Sequence, residues 1–269
     1  IYTNMDNVML GFIKGTTENG YYDAAVKIKN ILVSFVSSLG TVLLPRVSYY
    51  IETGEKEEFS RITKKALNFV FLLSVPLCVY FIIFARPSIY LLSGTMFENS
   101  ILPMRLIMPT LVFIGLTNII GLQILVPLGK ENQVLYSEIA GAVVNIIVNM
   151  FLIPRMGAAG AAIGTVLAEI MVFIVQVYAL KDVVVKILKK ISYWKIAIAL
   201  VLASFVSVWV NSMNWGNFLI LLFSALLFFG VYVLTLIIFR EKLVKEILDD
   251  MLRIVKKNKG NSSGRKGYE

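Results

Sequence analysis

Seven stretches of this chain are long and apolar enough to cross a bilayer, and only short polar segments separate them. A hydrocarbon core of about 30 Å takes about 20 mostly apolar residues per helical span. The stretches run over approximately 22–48, 67–91, 103–127, 133–154, 158–181, 194–213 and 217–239, with the tail of another at 1–13. With 58% hydrophobic residues arranged in this way, no soluble fold of 269 residues competes. The reading is an all-α, polytopic transmembrane helical bundle, and function is to be sought inside the membrane.

Composition removes several classes of function. A net charge of +9 would suggest nucleic acid in a soluble protein. Here the basic residues fall in loops and in the tail, where the positive-inside rule accounts for them, and no nucleic-acid partner is expected. Cys78 is the single cysteine and lies in an apolar run, so neither a disulfide framework nor a cysteine metal quartet is available. The chain has no His, the commonest metal ligand and the usual proton shuttle near neutral pH. It also has no P-loop and no G-x-G-x-x-G fingerprint, so neither metal nor cofactor is expected. The first residue is Ile1, and the first polar turn follows about a dozen residues later without a basic leader. Residues 1–13 therefore read as the end of a helix whose start has been cut away, and the chain as the C-terminal part of a longer transporter.

The loops give an orientation independent of hydropathy. The segment around Gly11–Tyr21 carries only Lys14, whereas 46–65 carries Arg46, Lys56, Arg61, Lys64 and Lys65. Arg86 and Arg105 fall in the third segment, Lys130 in the fourth and Arg155 in the fifth. The sixth is rich again, with Lys181, Lys186, Lys189, Lys190 and Lys195, and the seventh has none. The tail beyond Arg240 adds another basic cluster. Segments two, four and six and the C-terminus are therefore assigned to the cytoplasm. Val184, Ile187, Leu188 and Ile191 repeat at helical spacing among lysines, as do Leu243, Ile247, Met251 and Ile254. Both stripes are expected as amphipathic helices on the cytoplasmic surface, anchored by anionic lipid. Residues 259–269 have almost no apolar side chain and are expected to be disordered.

Charges inside the spans are the candidate functional residues. On insertion scales a charge at mid-bilayer costs about 2.5–3.5 kcal/mol, so such residues face a cavity or a partner. Asp6, Asp23, Lys27, Lys29, Arg105 and Glu169 qualify, while Glu138 is placed at the cytoplasmic headgroup level. Asp23 and Lys27 stand four apart on one helical face, which also allows a neutralised structural pair. Lys29 and Arg105 have the alternative of snorkelling to the interface. Cations facing a cavity suit a phosphate-bearing substrate, because ammonium and guanidinium groups replace water around phosphate oxygens.

Small and amide residues point to packing. Gly160, Gly164 and Ala168 recur every four residues, a spacing that lets membrane helices approach closely. Gly141, Asn145 and Asn149 share a face of the preceding span, where the amides can bond between helices. Pro76, Pro109 and Pro127 are candidate kinks.

The stretch Tyr2-Thr3-Asn4-Met5-Asp6-Asn7-Val8-Met9-Leu10-Gly11 resembles the start of the second half of O-antigen-type flippases. These are oligosaccharide flippases of the multidrug/oligosaccharidyl-lipid/polysaccharide exporter superfamily. The resemblance continues through Gly20-Tyr21-Tyr22-Asp23-Ala24-Ala25 and Leu43-Leu44-Pro45-Arg46. It reappears at Asn145, Asn149, Ile153-Pro154, Gly157-Ala158-Ala159-Gly160-Ala161-Ala162 and Thr165, so it covers most of 1–181. It implies one six-helix lobe over 1–181, with its first helix truncated, and a cytoplasmic connector at 182–193. Two additional transmembrane helices at 194–239 and a basic tail at 240–269 would follow. The implied function is movement of undecaprenyl-diphosphate-linked oligosaccharide to the outer leaflet of the bacterial cytoplasmic membrane by alternating access. The implied partners are that substrate, membrane lipids and other polysaccharide assembly proteins. Asp6, Asp23, Lys27 and Lys29 lie on the matching helices, and Asp6 or Asp23 is a candidate for ion coupling.

Rival readings share the fold or replace the chemistry. A peptidoglycan-precursor flippase or a multidrug exporter would have the same topology, and the drug exporter would need an acidic cavity with few cations. A membrane glycosyltransferase or polymerase would need catalytic groups on a sizeable outer loop, and the outer loops here are short. The chain is therefore read as a carrier and not an enzyme.

Overall fold

The structure is a computed structural model that describes residues 5–189 and 191–246, without the side chains at 39–44. Every regular element in it is helical. The first four helices are α1 (Met5–Lys14), α2 (Thr16–Glu52), α3 (Lys56–Ile83) and α4 (Ala85–Leu92). A 3-10 stretch, Thr95–Ser100, leads into α5 (Ile101–Ile107), α6 (Thr110–Thr117) and a π-helical stretch, Asn118–Leu125. Then come α7 (Glu131–Met156), α8 (Ala158–Ala179), α9 (Lys181–Leu188), α10 (Tyr193–Ser207) and α11 (Asn217–Ile238). The tail residues Ile247, Met251 and Ile254, and the end expected to be disordered, lie outside the described residues.

The expected seven spans take a more varied form. Among the described residues five helices are long and apolar enough to cross a membrane: α3, α7, α8, Tyr193–Ser212 and α11. The pair Thr95–Ile107 and Thr110–Leu125 passes the same test only when taken together, bent by 47° at a break that contains Pro109. Of the three candidate kinks, Pro109 is thus at a real bend, whereas Pro76 sits inside the continuous helix α3. The remaining stretch belongs to α2, whose 37 residues make it about 55 Å long, ample for a crossing. It carries Asp23, Lys27, Lys29 and Arg46, and its side chains at 39–44 lie outside the described residues. The stretch read at 67–91 is also displaced. Its helix begins at Lys56, eleven residues earlier by sequence number, and breaks at Phe84 before α4. Hydropathy marks where a helix is oily, not where its hydrogen bonding starts.

Contacts between connecting segments sort them to two ends. Tyr50, Gly54, Lys130, Asp182 and Lys186 line one cavity, which joins the segments after α2, before α7 and after α8. Ion pairs Lys65–Glu246 and Lys195–Glu241 bring the start of the tail to the same end. At the opposite end Ala158 N donates to Glu18 Oε2 at 3.0 Å, and the rings of Tyr21 and Phe97 meet edge to face at 6.1 Å. The lysine-rich segments are those that cluster together.

Two hydrophobic cores share α3 as a wall. Ala66, Leu67, Val70 and Cys78 face a core built with α2, α5, α6 and α8. Leu72, Tyr80 and the following Phe84 face a second core built with α10 and α11. Polar ties pin that second contact, since Tyr80 OH donates to Leu221 O at 2.8 Å and Tyr232 OH to Leu72 O at 3.1 Å. The stripe expected to lie on lipid is instead used inside the protein. Val184 and Ile187 of α9 are buried in the first core, which leaves Lys186 and Lys189 exposed on its other face. Burying that stripe against α3 and α8 removes it from water as effectively as lipid would.

Candidate functional site

Four helices converge on one carboxylate. Asp6 of α1 is 2% exposed and accepts three hydrogen bonds. Tyr22 OH of α2 donates to its Oδ2 at 2.8 Å, and Thr165 Oγ1 of α8 donates to the same oxygen at 2.7 Å. Asn149 Nδ2 of α7 donates to Oδ1 at 2.6 Å and lies 3.2 Å from Asn145 Oδ1. Each hydroxyl has a single proton, so both donations to Asp6 leave the Tyr22 and Thr165 oxygens, 2.9 Å apart, without a proton between them. Bonds to an ionised acceptor are the stronger kind, and three of them offset much of the cost of burying this charge.

Asp6 forms one wall of a cavity of ≈ 320 Å³. Lys29 and Asn30 of α2 line it, with Glu138 of α7 and with Glu169 and Gln176 of α8. The π-helical stretch contributes Asn118 and Gly121. Lys29 is buried, and the charges that act most strongly on its ammonium are Glu169 and then Asp6. Asp6, Glu138 and Glu169 against Lys29 make the wall formally acidic. Asn118 Oδ1 and Gln176 Oε1 have no protein hydrogen-bond partner. Buried acceptors of that kind are satisfied by water or a polar occupant.

The close approach of the helices depends on missing side chains. A Cβ at Gly164 would enter the Asn149 side chain, and one at Gly141 would lie 2.6 Å from Val172. At Gly160 it would lie 2.5 Å from the Leu152 carbonyl oxygen, and at Gly121 2.9 Å from the Gln176 amide. The stripe read as helix packing, Gly160 and Gly164 with Asn145 and Asn149, therefore has a second consequence. It makes room for the amide that holds Asp6.

The other candidates separate by helical face. Asp6, Lys29 and Glu169 line the same cavity. Asp23 is half-buried and accepts from Asn7 Nδ2 at 2.8 Å, and among the described residues it forms no ion pair with Lys27. Lys27 and Arg105 are exposed and do not line the cavity. Lys29 lies thirteen residues into α2, about 20 Å along its axis from the start, and is buried. Glu138, expected at the headgroups, reaches the cavity wall. Tyr22, Thr165 and Gln176 carry no charge and drew no notice from a search for buried charges. The signal that finds them is period: Thr165, Glu169, Val172 and Gln176 are one helical face, all buried. Among the described residues no cluster of three His, Cys, Asp or Glu could hold a metal, but the oxygens around Asp6 have the hard-ligand character that a small cation accepts.

This arrangement can be set beside known proteins. The family model described as Lipid II flippase MurJ matches residues 11–229, most of the chain. The chain belongs to the MurJ family. A solved MurJ, "Lipid II flippase MurJ, inward closed conformation", superposes on 88% of the chain and 50% of its own length, with a TM-score of 0.74 at 18% identity. That likeness shows the MurJ fold. An uncharacterized membrane protein of Methanocaldococcus jannaschii is 27% identical over 94% of the chain and 50% of its own length. The "Probable low-salt glycan biosynthesis flippase Agl15" of Haloferax volcanii is 22% identical over 94% of the chain and 54% of its own length. The "Putative O-antigen transporter" of Escherichia coli K12 is 23% identical over 64% of the chain and 41% of its own length. The chain thus spans about half the length of the curated relatives it matches.

Proposed function

We propose that residues 1–181 act as the second lobe of a flippase for a polyprenyl-diphosphate-linked oligosaccharide. In this reading α10 and α11 are an added pair, 182–193 is the connector, and 240–269 is a tail facing the cytoplasm. The protein sits in the cytoplasmic membrane with its lysine-rich end inward, by the positive-inside rule. One observation carries the reading: α1, α2, α7 and α8 meet at Asp6 on the wall of a polar cavity, in a chain of a flippase family. Alternating access needs a site where helices of a lobe are joined by bonds that a bound species can rearrange.

Asp6 is the coupling residue in this scheme. A small cation arriving among the Asp6, Asn145 and Thr165 oxygens would compete with the Tyr22 and Asn149 donors and re-aim α1 against α7 and α8. Asp23, tied to Asn7 one residue from Asp6, has at most an indirect part. Glu138, Gln176 and Asn118 supply acceptors for sugar hydroxyls. The charge balance argues against a diphosphate clamp on this wall, because Lys29 already faces Glu169, and Lys27 and Arg105 lie elsewhere.

A peptidoglycan-precursor cargo is the second reading, favoured by the description of the matching family. Reconstitution of the full-length protein in liposomes with each lipid-linked donor separates the two. Asp6→Asn is expected to abolish ion-dependent flipping of the true cargo while the protein stays folded. Unchanged flipping and unchanged ion dependence in that variant would remove Asp6 from the mechanism.

A further inference from the structure

A second cavity, of ≈ 640 Å³, opens at the lysine-rich end, where the ends of α2 and α8 meet α3, α9 and the turn before α7. Lys56 and Lys64 reach it from α3, Lys130 from the residue before α7 and Lys186 from α9. Asp182 is the one carboxylate on its described wall. Among the described residues, the ion pairs are Glu58–Arg61, Lys65–Glu246, Arg86–Glu98 and Lys195–Glu241, so none of the four lysines is neutralised by a pair. Like charges gathered around one hollow repel, and an anion in the hollow reverses the sign of that energy.

The four lysines are exposed, and the backbone that carries Lys186 and Lys130 is fixed. Val184 and Ile187 are buried in the first core and fix the turn of α9 that presents Lys186. Lys130 follows Gly129, whose φ of 68° turns the chain into α7. The wall between the lysines is apolar, with Phe59, Leu128, Leu180 and Ile187. A free inorganic anion gains nothing from such a surface. A phosphate joined to glycerol and acyl chains does, and in the orientation proposed above this lysine-rich end faces the anionic cytoplasmic headgroups.

We propose that this cavity binds the phosphate of an anionic membrane lipid, with Lys64, Lys130 and Lys186 around the phosphate oxygens and Phe59 and Leu128 against the start of the apolar part. The site is separate from the polar cavity at Asp6 and stands whatever the flipped cargo is. Its occupant ties α3, α9 and the turn before α7 together at one end of the bundle.

Native mass spectrometry of the full-length protein, with phosphatidylglycerol and phosphatidylcholine at equal concentration, tests it. Wild type should retain phosphatidylglycerol in preference to phosphatidylcholine. The triple variant Lys64→Gln/Lys130→Gln/Lys186→Gln should retain about a hundredfold less, given about 1 kcal/mol for each of three basic residues near an anionic lipid. Replacement of the same three lysines by Arg should restore retention, which separates lost charge from a damaged fold. Equal charge removed at the opposite end of the bundle, as Lys14→Gln/Arg86→Gln/Arg155→Gln, should leave retention within about twofold, because exposed charges beyond a Debye length are screened. An equal loss in that control, or equal retention of phosphatidylcholine, would overturn the site. Displacement of the lipid by inorganic phosphate at matched concentration would overturn the lipid as its ligand.

Discussion

Asn149 donates an amide hydrogen to Asp6 at 2.6 Å, across 143 residues of chain. Its side chain fits there because Gly164, on the facing helix, has none. A small-residue stripe and a polar site, usually treated as separate matters, are one construction here. The stripe brings α7 and α8 close, and the closeness leaves the amide nowhere to point except at α1.

Gly164→Ala tests that construction. A methyl group at this position collides with the Asn149 amide, and overpacking of this kind costs about 1–3 kcal/mol. The apparent Tm of the purified protein in detergent should fall. Gly230→Ala is the matched control, since nothing lies within 4 Å of its Cβ and Ala is the better helix former. Its Tm should hold or rise. A variant at Gly164 as stable as the one at Gly230 would mean that the two helices do not meet as described.

Removing the carboxylate should cost more than removing its charge. Asp6→Ala takes their shared acceptor from Tyr22, Thr165 and Asn149, which fall back on Thr165 Oγ1, Ala161 O and Asn145 Oδ1, and the loss should cost about 1–3 kcal/mol in all. Asp6→Asn keeps one acceptor oxygen and should lie between wild type and the alanine variant in thermal stability. Equal Tm for all three would show that the network holds nothing together.

How much of this could be read in the sequence differs from helix to helix. The stretch read at 158–181 is Ala158–Ala179, because Gly157 marks its start and apolar residues run through it with few breaks. The stretch read at 22–48 underestimates α2, whose polar ends are helical but not oily. Depth singled out Asp6, Lys29 and Glu169 and also Lys27 and Arg105, since all five sit in or beside apolar runs. Depth has no information about face. Lys27 is two residues from Lys29, about 200° around the helix, and so cannot share its cavity. The uncharged members, Tyr22, Thr165 and Gln176, become legible only when helical period is applied to polar residues as well as charged ones. The tie between α7 and α1 rests on a long-range contact that no local pattern contains.

Tyr80 should be the main polar tie between α3 and the α10–α11 pair. Its hydroxyl donates to Leu221 O at 2.8 Å and lies 3.0 Å from Ser224 Oγ, in a buried aromatic cluster with Phe84 and Phe228. Side-chain hydrogen bonds between membrane helices average about 0.6 kcal/mol, with a maximum of about 1.7. A double-mutant cycle of Tyr80→Phe and Ser224→Ala should give a coupling energy in that range by chemical or thermal unfolding. Additive effects would leave the backbone bonds to Leu221 O and Leu72 O as the polar ties of this contact.

Glu18 should hold the start of α8 from another helix. Gly157 precedes that helix with φ 54°, and no side chain of its own caps it. The first backbone N–H groups of any helix lack internal partners. Ala158 N–H finds one in Glu18 Oε2 at 3.0 Å, and the carboxylate also meets the positive end of the helix dipole. Glu18→Gln retains the acceptor and loses the charge, at about 0.3–1 kcal/mol. Glu18→Ala loses both, at about 1–2 kcal/mol, the cost of a removed cap. The amides at 158–160 should then exchange hydrogen faster than in wild type, with the glutamine variant between the two. Ala161 N–H, bonded to Gly157 O at 3.2 Å within the first turn, should change less than Ala158. Equal protection at Ala158 in all three proteins would mean that α8 keeps its first turn without help from α2, and that its packing on α7 is what fixes where it begins.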